Sequence, residues 1–220
     1  IEICIETVRK ITERYAKQAQ EFNQKQKVSV SQAEQLIAES DGSMVPIVEA
    51  LIENGDKRKK RSLLWKEFRL GAIQVFGEVS WIYAAAHGST EALGNGLGKI
   101  AERVGFGDRT KVHGLGDGAP WVQEQMERIF GCQMEFMIDF FHLCEYLSAA
   151  ANAFGEGKEE WMKNATNSVK EGKVATVLKQ LKEYQEEHGE QEGVLKCIRY
   201  IENRPSQFFY DRALAKGLPI

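Results

Sequence analysis

Two aspartates of this chain sit where a carboxylate can meet a phosphate or a metal ion: Asp41 in Ser40-Asp41-Gly42-Ser43, and Asp117 in Gly114-Leu115-Gly116-Asp117-Gly118-Ala119-Pro120-Trp121. Small neighbours leave room for an ion, a water or a phosphodiester beside the carboxylate. Both are expected at strand ends. On adjacent strands the pair can share a hard divalent cation such as Mg2+ or Mn2+, which favours oxygen ligands. Two such ions about 4 Å apart activate an attacking oxygen and stabilise a leaving one. Taken singly, each Asp-Gly pair reads more simply as a turn. Asp139-Phe140-Phe141-His142 follows as an accessory feature. At a strand-to-helix corner both polar residues can face the site, with His142 ordering a water, a phosphate or the Asp139 carboxylate. A capping pair that only starts the helix fits equally well.

A rival reading uses the same residues. Gly114-Leu115-Gly116-Asp117-Gly118-Ala119 matches the G-x-G-x-x-A dinucleotide fingerprint, and Asp139 ends the next strand, where a ribose-binding acid would stand. Asp117 weighs against it, because it puts a carboxylate into the loop meant for a pyrophosphate, where like charges repel strongly. His87, His113 and His188 show no metal-ligand spacing, and no P-loop or G-x-S-x-G elbow is present. Cys4, Cys132, Cys144 and Cys197 are scattered without a C-x-x-C pair, and read as reduced, buried or semi-buried thiols of a cytoplasmic protein.

The elements that must position these groups follow from periodicity. Residues 1–24 read as a helix, with Ile5, Val8, Ile11, Tyr15 and Phe22 at three- and four-residue steps. Its stripe can pack on the core or pair with another helix, including that of a second copy. A short helix is expected over Ser31–Ala38, then a strand ending near or crossing Asp41 with a turn or bulge at Gly42. Phe68–Phe76 and Ser80–Ala86 read as strands joined at Gly77-Glu78. Thr90–Val104 reads as a helix, Lys111–Leu115 as a strand, Pro120–Phe130 as a helix with proline in its first turn, and Gln133–Ile138 as a strand. From Phe140 the pattern is helical: 141–154, 158–170, 173–187, 190–203 and 206–216, punctuated by glycines. The fold class expected is α/β, with a mixed sheet, flanking helices and an all-helical insertion. The divisions are an N-terminal helical segment over 1–34, a mixed core over 35–142, helices over 143–216, and a final stretch over 217–220.

Composition sets outer bounds. The 220 residues are 43% hydrophobic and 28% charged, an ordinary globular balance without an apolar run of membrane-spanning length, so no membrane partner is expected. A net charge of -3 and a pI near 5.9 argue against a dedicated nucleic-acid binder. Lys57-Arg58-Lys59-Lys60-Arg61, followed by Lys66 and Arg69, is the local exception: it can neutralise DNA phosphates, or be a solvated loop.

In order along the chain, Glu39–Ile47, Trp65–Leu70, Gly116–Trp121, Ile138–Leu147 and Arg199–Arg204 resemble DDE transposases of bacterial insertion sequences, nearest to the ISKra-like group. The resemblance covers roughly residues 36–220. It implies an RNase H-like fold, and cleavage and strand transfer at transposon DNA ends with Mg2+ or Mn2+. Asp41 matches the first metal-binding carboxylate and Asp117 the second, while Asp139 and His142 match an acid-x-x-His corner found after the second. The third carboxylate, a helical glutamate, should follow a stretch like Gly217-Leu218-Pro219-Ile220, where this chain stops. A fragment without cleavage activity of its own is therefore expected. Another RNase H-like nuclease, or a non-enzymatic DNA-binding or oligomerisation remnant, remains as an alternative.

Overall fold

The structure, a computed structural model, describes residues 4–25, 31–50 and 61–220. Helix α1 (Ile5–Lys25) precedes strands β1 (Gln35–Ala50), β2 (Arg61–Val75) and β3 (Trp81–His87). Then come α2 (Thr90–Arg103), β4 (Lys111–Gly116), α3 (Pro120–Phe130) and β5 (Met134–Ile138). Helices α4 (Phe140–Ala151), α5 (Lys158–Lys170), α6 (Val174–His188), α7 (Glu192–Glu202) and α8 (Tyr210–Ala215) complete the described elements. The strands form one mixed five-stranded sheet in the order β3-β2-β1-β4-β5. β1, β2 and β3 pair antiparallel, while β1–β4 and β4–β5 pair parallel. No described helix is long and apolar enough to cross a membrane.

The helix expected over Ser31–Ala38 is instead the start of β1. Ala33, Gln35, Leu36 and Ala38 have acceptable helix propensity, but Leu36, Ile37 and Ala38 are all buried. Both faces are covered because this is the central strand, so the apolar run is continuous and shows no alternation. The bulge expected at Gly42 is also absent: the β1–β2 ladder runs without interruption from Leu36↔Val75 to Ala50↔Arg61. Past Ser40 β4 no longer accompanies β1, and past Ser43, which pairs with Phe68, β3 no longer accompanies β2; from there β1 and β2 continue, among the described residues, as a two-stranded arm. Pro46 fits there because each strand of the arm has a free edge. Met44, Val48, Leu63 and Trp65 are exposed along it.

Helices α2 and α3 cover one face of the sheet. A Cβ on Gly71 would stand 2.6 Å from Leu97 of α2, so glycine is what lets that helix sit down on β2. On the other face, His113 of β4 lies beneath the C-terminal residues, its Nε2 2.9 Å from the Pro219 carbonyl and its ring edge-on to Phe209. The later helices all form, and add no strand among the described residues. Leu181, Ile198 and Tyr200 are buried, with Trp161, Leu178 and Tyr184 packed around them, and Val194 supplies the buried position at the start of α7. These side chains belong to the same hydrophobic cluster as the sheet residues. Of the cysteines, Cys197 is buried and Cys144 half-buried, whereas Cys4 and Cys132 are exposed, contrary to the expectation of burial.

Burial lowers the pKa of His113, outweighing the upward pulls of the Pro219 carbonyl and Glu135; Lys216 adds a smaller push downward. The unfolded ring takes up a proton near its ordinary value of about 6.5. As pH falls through that value the unfolded state binds more protons than the folded one, so stability drops until the folded ring also titrates. Denaturant midpoints at pH 8 and pH 5.5 are expected to differ less for His113→Asn than for the unaltered chain. An equal difference would show that His113 does not set this dependence.

Candidate active site

Three aspartates stand one residue past a single rung of the sheet. Ser40 pairs with Gly116 across β1 and β4, and Gly116 pairs with Ile138 across β4 and β5. Asp41, Asp117 and Asp139 are the residues that follow. Parallel strands about 4.8 Å apart therefore deliver them side by side at one edge. The Asp139 amide also donates to the Gly116 carbonyl at 2.9 Å, extending that register by one bond.

Each carboxylate is tied to nearby backbone through Oδ1. Asp41 accepts from Gly42 N at 2.7 Å, Asp117 from Ala119 N at 2.8 Å, and Asp139 from His142 N at 3.0 Å. The last bond caps α4, so the Asp139–His142 pair does start a helix. The His142 ring turns instead toward Glu145, with Nδ1 3.6 Å from its carboxylate. Asp139, His142 and Glu145 all line the same cavity of about 600 Å³ as Asp41 and Asp117.

Glu39 lines this cavity too, and sequence reasoning gave it no role. It precedes Asp41 by two residues, so both side chains fall on one face of β1. That signal was hidden by reading the preceding residues as helix. Burial raises the Glu39 pKa, and the nearby Asp139 charge adds to the rise. The lining thus holds Glu39, Asp41, Asp117, Asp139 and Glu145 and, among the described residues, neither lysine nor arginine. So many carboxylates repel one another unless a cation or a proton intervenes.

The donor set suits a hard cation, since every acid offers oxygen. It is not gathered into a ready-made cage: among the described residues no group of three or more His, Cys, Asp or Glu side chains could hold a metal ion. A cation here would rest on a carboxylate pair and water, or on a further ligand brought from elsewhere. The dinucleotide alternative loses its geometry. Gly114 and Gly116 lie inside β4 rather than in a loop, and the sheet is not doubly wound, because β1, β2 and β3 run antiparallel. The basic run Lys57–Lys60 lies outside the described residues, as does the side chain of Arg61. Arg69 is described: it sits over the Trp121 ring and pairs with Glu67.

Comparison with known proteins gives a family without an assigned activity. The model of the uncharacterised protein family UPF0236 matches residues 101–215. A UPF0236 protein of Caldanaerobacter subterraneus subsp. tengcongensis is 31% identical over 93 residues, which is 42% of this chain and 20% of the relative. A second from the same organism, whose name joins eleven locus designations, is 30% identical over 93 residues, 42% of this chain and 19% of the relative. The matched stretch thus spans about a fifth of the length of these curated relatives.

Proposed function

The chain belongs to the uncharacterised family UPF0236, and from that premise we propose that it supplies the aspartate-bearing part of a DDE-type transposase with an RNase H-like core. The observation that carries this reading is the aspartate rung: Asp41, Asp117 and Asp139 emerge together from three neighbouring strands into one acidic cavity. The sheet supports it as well. An antiparallel β1-β2-β3 meander, flanked on the β1 side by two parallel strands, is the arrangement that an RNase H-like core requires. The eleven loci joined in one relative's name are the kind of repetition that a self-copying DNA element leaves in a genome.

In this reading Asp41 and Asp117 hold Mg2+ or Mn2+, with a helical glutamate as the third ligand that the resemblance implies. The bound ion supplies charge neutralisation and an activated oxygen for an in-line attack on a phosphodiester. The chain's own residues set the stage. The backbone bonds to Oδ1 restrict each carboxylate where it lines the cavity. Asp139 fixes the start of α4, which brings His142 and Glu145 to the rim. The test is a cleavage and joining assay on labelled element-end DNA with Mg2+ and then Mn2+. It compares this chain with a version continued into a glutamate-bearing helix. Metal-dependent products are expected from the continued version; their absence under both metals would sink the reading.

DNA affinity is assigned to the basic run. Replacing Lys57, Arg58, Lys59, Lys60 and Arg61 with glutamine should weaken binding to any DNA sequence. It should also flatten the dependence of log K on log salt by up to about 0.9 for each phosphate that is no longer neutralised. An unchanged slope would make the run a solvated loop.

A further inference from the structure

The turn that presents Asp117 is held from outside the sheet. The Tyr200 hydroxyl of α7 donates to the Asp117 carbonyl at 2.8 Å. Arg204, just past the same helix, donates to the Gly118 carbonyl from Nη2 at 2.8 Å and from Nε at 3.3 Å. Its guanidinium lies 4.2 Å from the centre of the Tyr200 ring, and the other face of that ring stacks on Tyr146 at 3.8 Å. Gly118 has φ +81, and a Cβ there would meet Arg204 Nε at 2.5 Å and Ile138 Cδ1 at 2.6 Å. Only glycine admits both that backbone conformation and that close approach.

From these contacts we infer that Tyr200 and Arg204 are positioning residues for the Asp117 carboxylate, clamping its turn from the helical region more than eighty residues away in sequence. The inference rests on the metal-binding reading of Asp117. Its physical basis is that a carbonyl removed from water must find a donor. With both carbonyls of the turn held by Tyr200 and Arg204 and Asp117 Oδ1 held by the Ala119 amide, the peptide units around Asp117 cannot rotate independently. Remove one donor and the turn regains freedom that the carboxylate inherits. Neither residue lines the cavity, so neither is a catalytic residue.

The test reads metal affinity and local backbone protection in the 220-residue chain. Mn2+ binding is titrated for the unaltered chain, Tyr200→Phe, Arg204→Met, Arg204→Lys, Asp117→Asn and Tyr184→Phe. Tyr184→Phe is the control, since it removes a similar hydroxyl-to-carbonyl bond, to Ala153, in another part of the fold. Tyr200→Phe and Arg204→Met should each weaken Mn2+ binding about tenfold, the low end for residues that orient a ligand. Arg204→Lys should recover part of the loss, and Tyr184→Phe should change nothing. In parallel, hydrogen exchange at the Ala119 amide without metal should quicken about five- to tenfold in Tyr200→Phe, as expected for the loss of one hydrogen bond. If Asp117→Asn alters Mn2+ binding but the clamp variants match the unaltered chain, the positioning role is overturned and the metal reading stands. If Asp117→Asn leaves Mn2+ binding unchanged, the metal reading fails. The Ala119 amide then decides whether the clamp holds the turn at all: unchanged exchange there overturns it.

Discussion

Asp117→Asn is expected to weaken Mn2+ binding by this chain at least about a hundredfold, the upper end of what even outer-shell changes cost. The substitution keeps size and keeps an oxygen for the Ala119 amide, so the turn should survive. What it removes is a charge. A divalent ion dehydrates reluctantly and needs strong anionic oxygens to replace its water. The cavity would still hold Glu39, Asp41, Asp139 and Glu145, but their placement is less favourable. Glu39 is partly withdrawn by burial, which favours its protonated form, and Glu145 leans toward His142 at the rim. Asp41→Asn should act in the same direction, because Asp41 and Asp117 flank the same rung. In a cleavage assay of the version continued into a glutamate-bearing helix the loss should be larger still, since positioning and charge neutralisation supply most of the catalysis in phosphoryl transfer. Calorimetric titration checks the binding outcome directly. Mn2+ affinity unchanged in both variants would move the site away from these aspartates, and Asp139 with Glu39 would become the pair to examine.

How much of this was legible in the sequence depended on how local the signal was. Pro120 opens α3, and Gly77-Glu78 closes the β2–β3 hairpin, because the residues that make those structures lie inside them. The strands carrying Asp117 and Asp139 were legible for the same reason, each a short apolar run stopped by a turn or a cap. The first strand was not. Leu36-Ile37-Ala38 shows no alternation because this central strand is buried on both faces, with α2 and α3 on one side of the sheet and the C-terminal residues packed on the other. With its phase unknown, Glu39 could not be placed beside Asp41. The continuous ladder through Gly42 was hidden for a related reason: Asp-Gly favours a turn locally, and only the long pairing with β2 overrides that preference. The clamp on Asp117 was the least accessible feature. Tyr200 and Arg204 appear in sequence as ordinary members of a helical pattern, and nothing local links them to a turn in the sheet.

The helical region and the sheet are expected to unfold together, and Leu147→Ala is the substitution that tests it. Leu147 is fully buried on the inner stripe of α4, with Phe140, Leu143, Ala150 and Ala151. That helix begins two residues after β5 ends, so its stripe starts at the sheet and runs outward beneath α5 and α7. The connection is supported at several points. Phe140 meets Tyr210 edge-on at 5.5 Å, the Ile138 amide donates to the Gln207 carbonyl at 3.0 Å, and Gln207 in turn donates to the side chain of Gln123 on α3 at 2.6 Å. Tyr200 and Arg204 then reach the Asp117 turn. Truncating a buried leucine to alanine costs about 2–5 kcal/mol, the spread reflecting how far the surroundings collapse into the space. At this chain length each kcal/mol lowers the melting temperature by about 2–4 °C. With one shared core, sheet and helices should melt in a single transition that moves as a whole, whether followed by total helix content or by the fluorescence of Trp81 in β3, read in a background with Trp65, Trp121 and Trp161 replaced by phenylalanine. The alternative outcome is equally clear. A melt in which only a helical phase shifts, while the β3 signal keeps its midpoint, would mean that residues 143–216 fold as an independent module, and that the contacts to Asp117 form between two separately stable bodies.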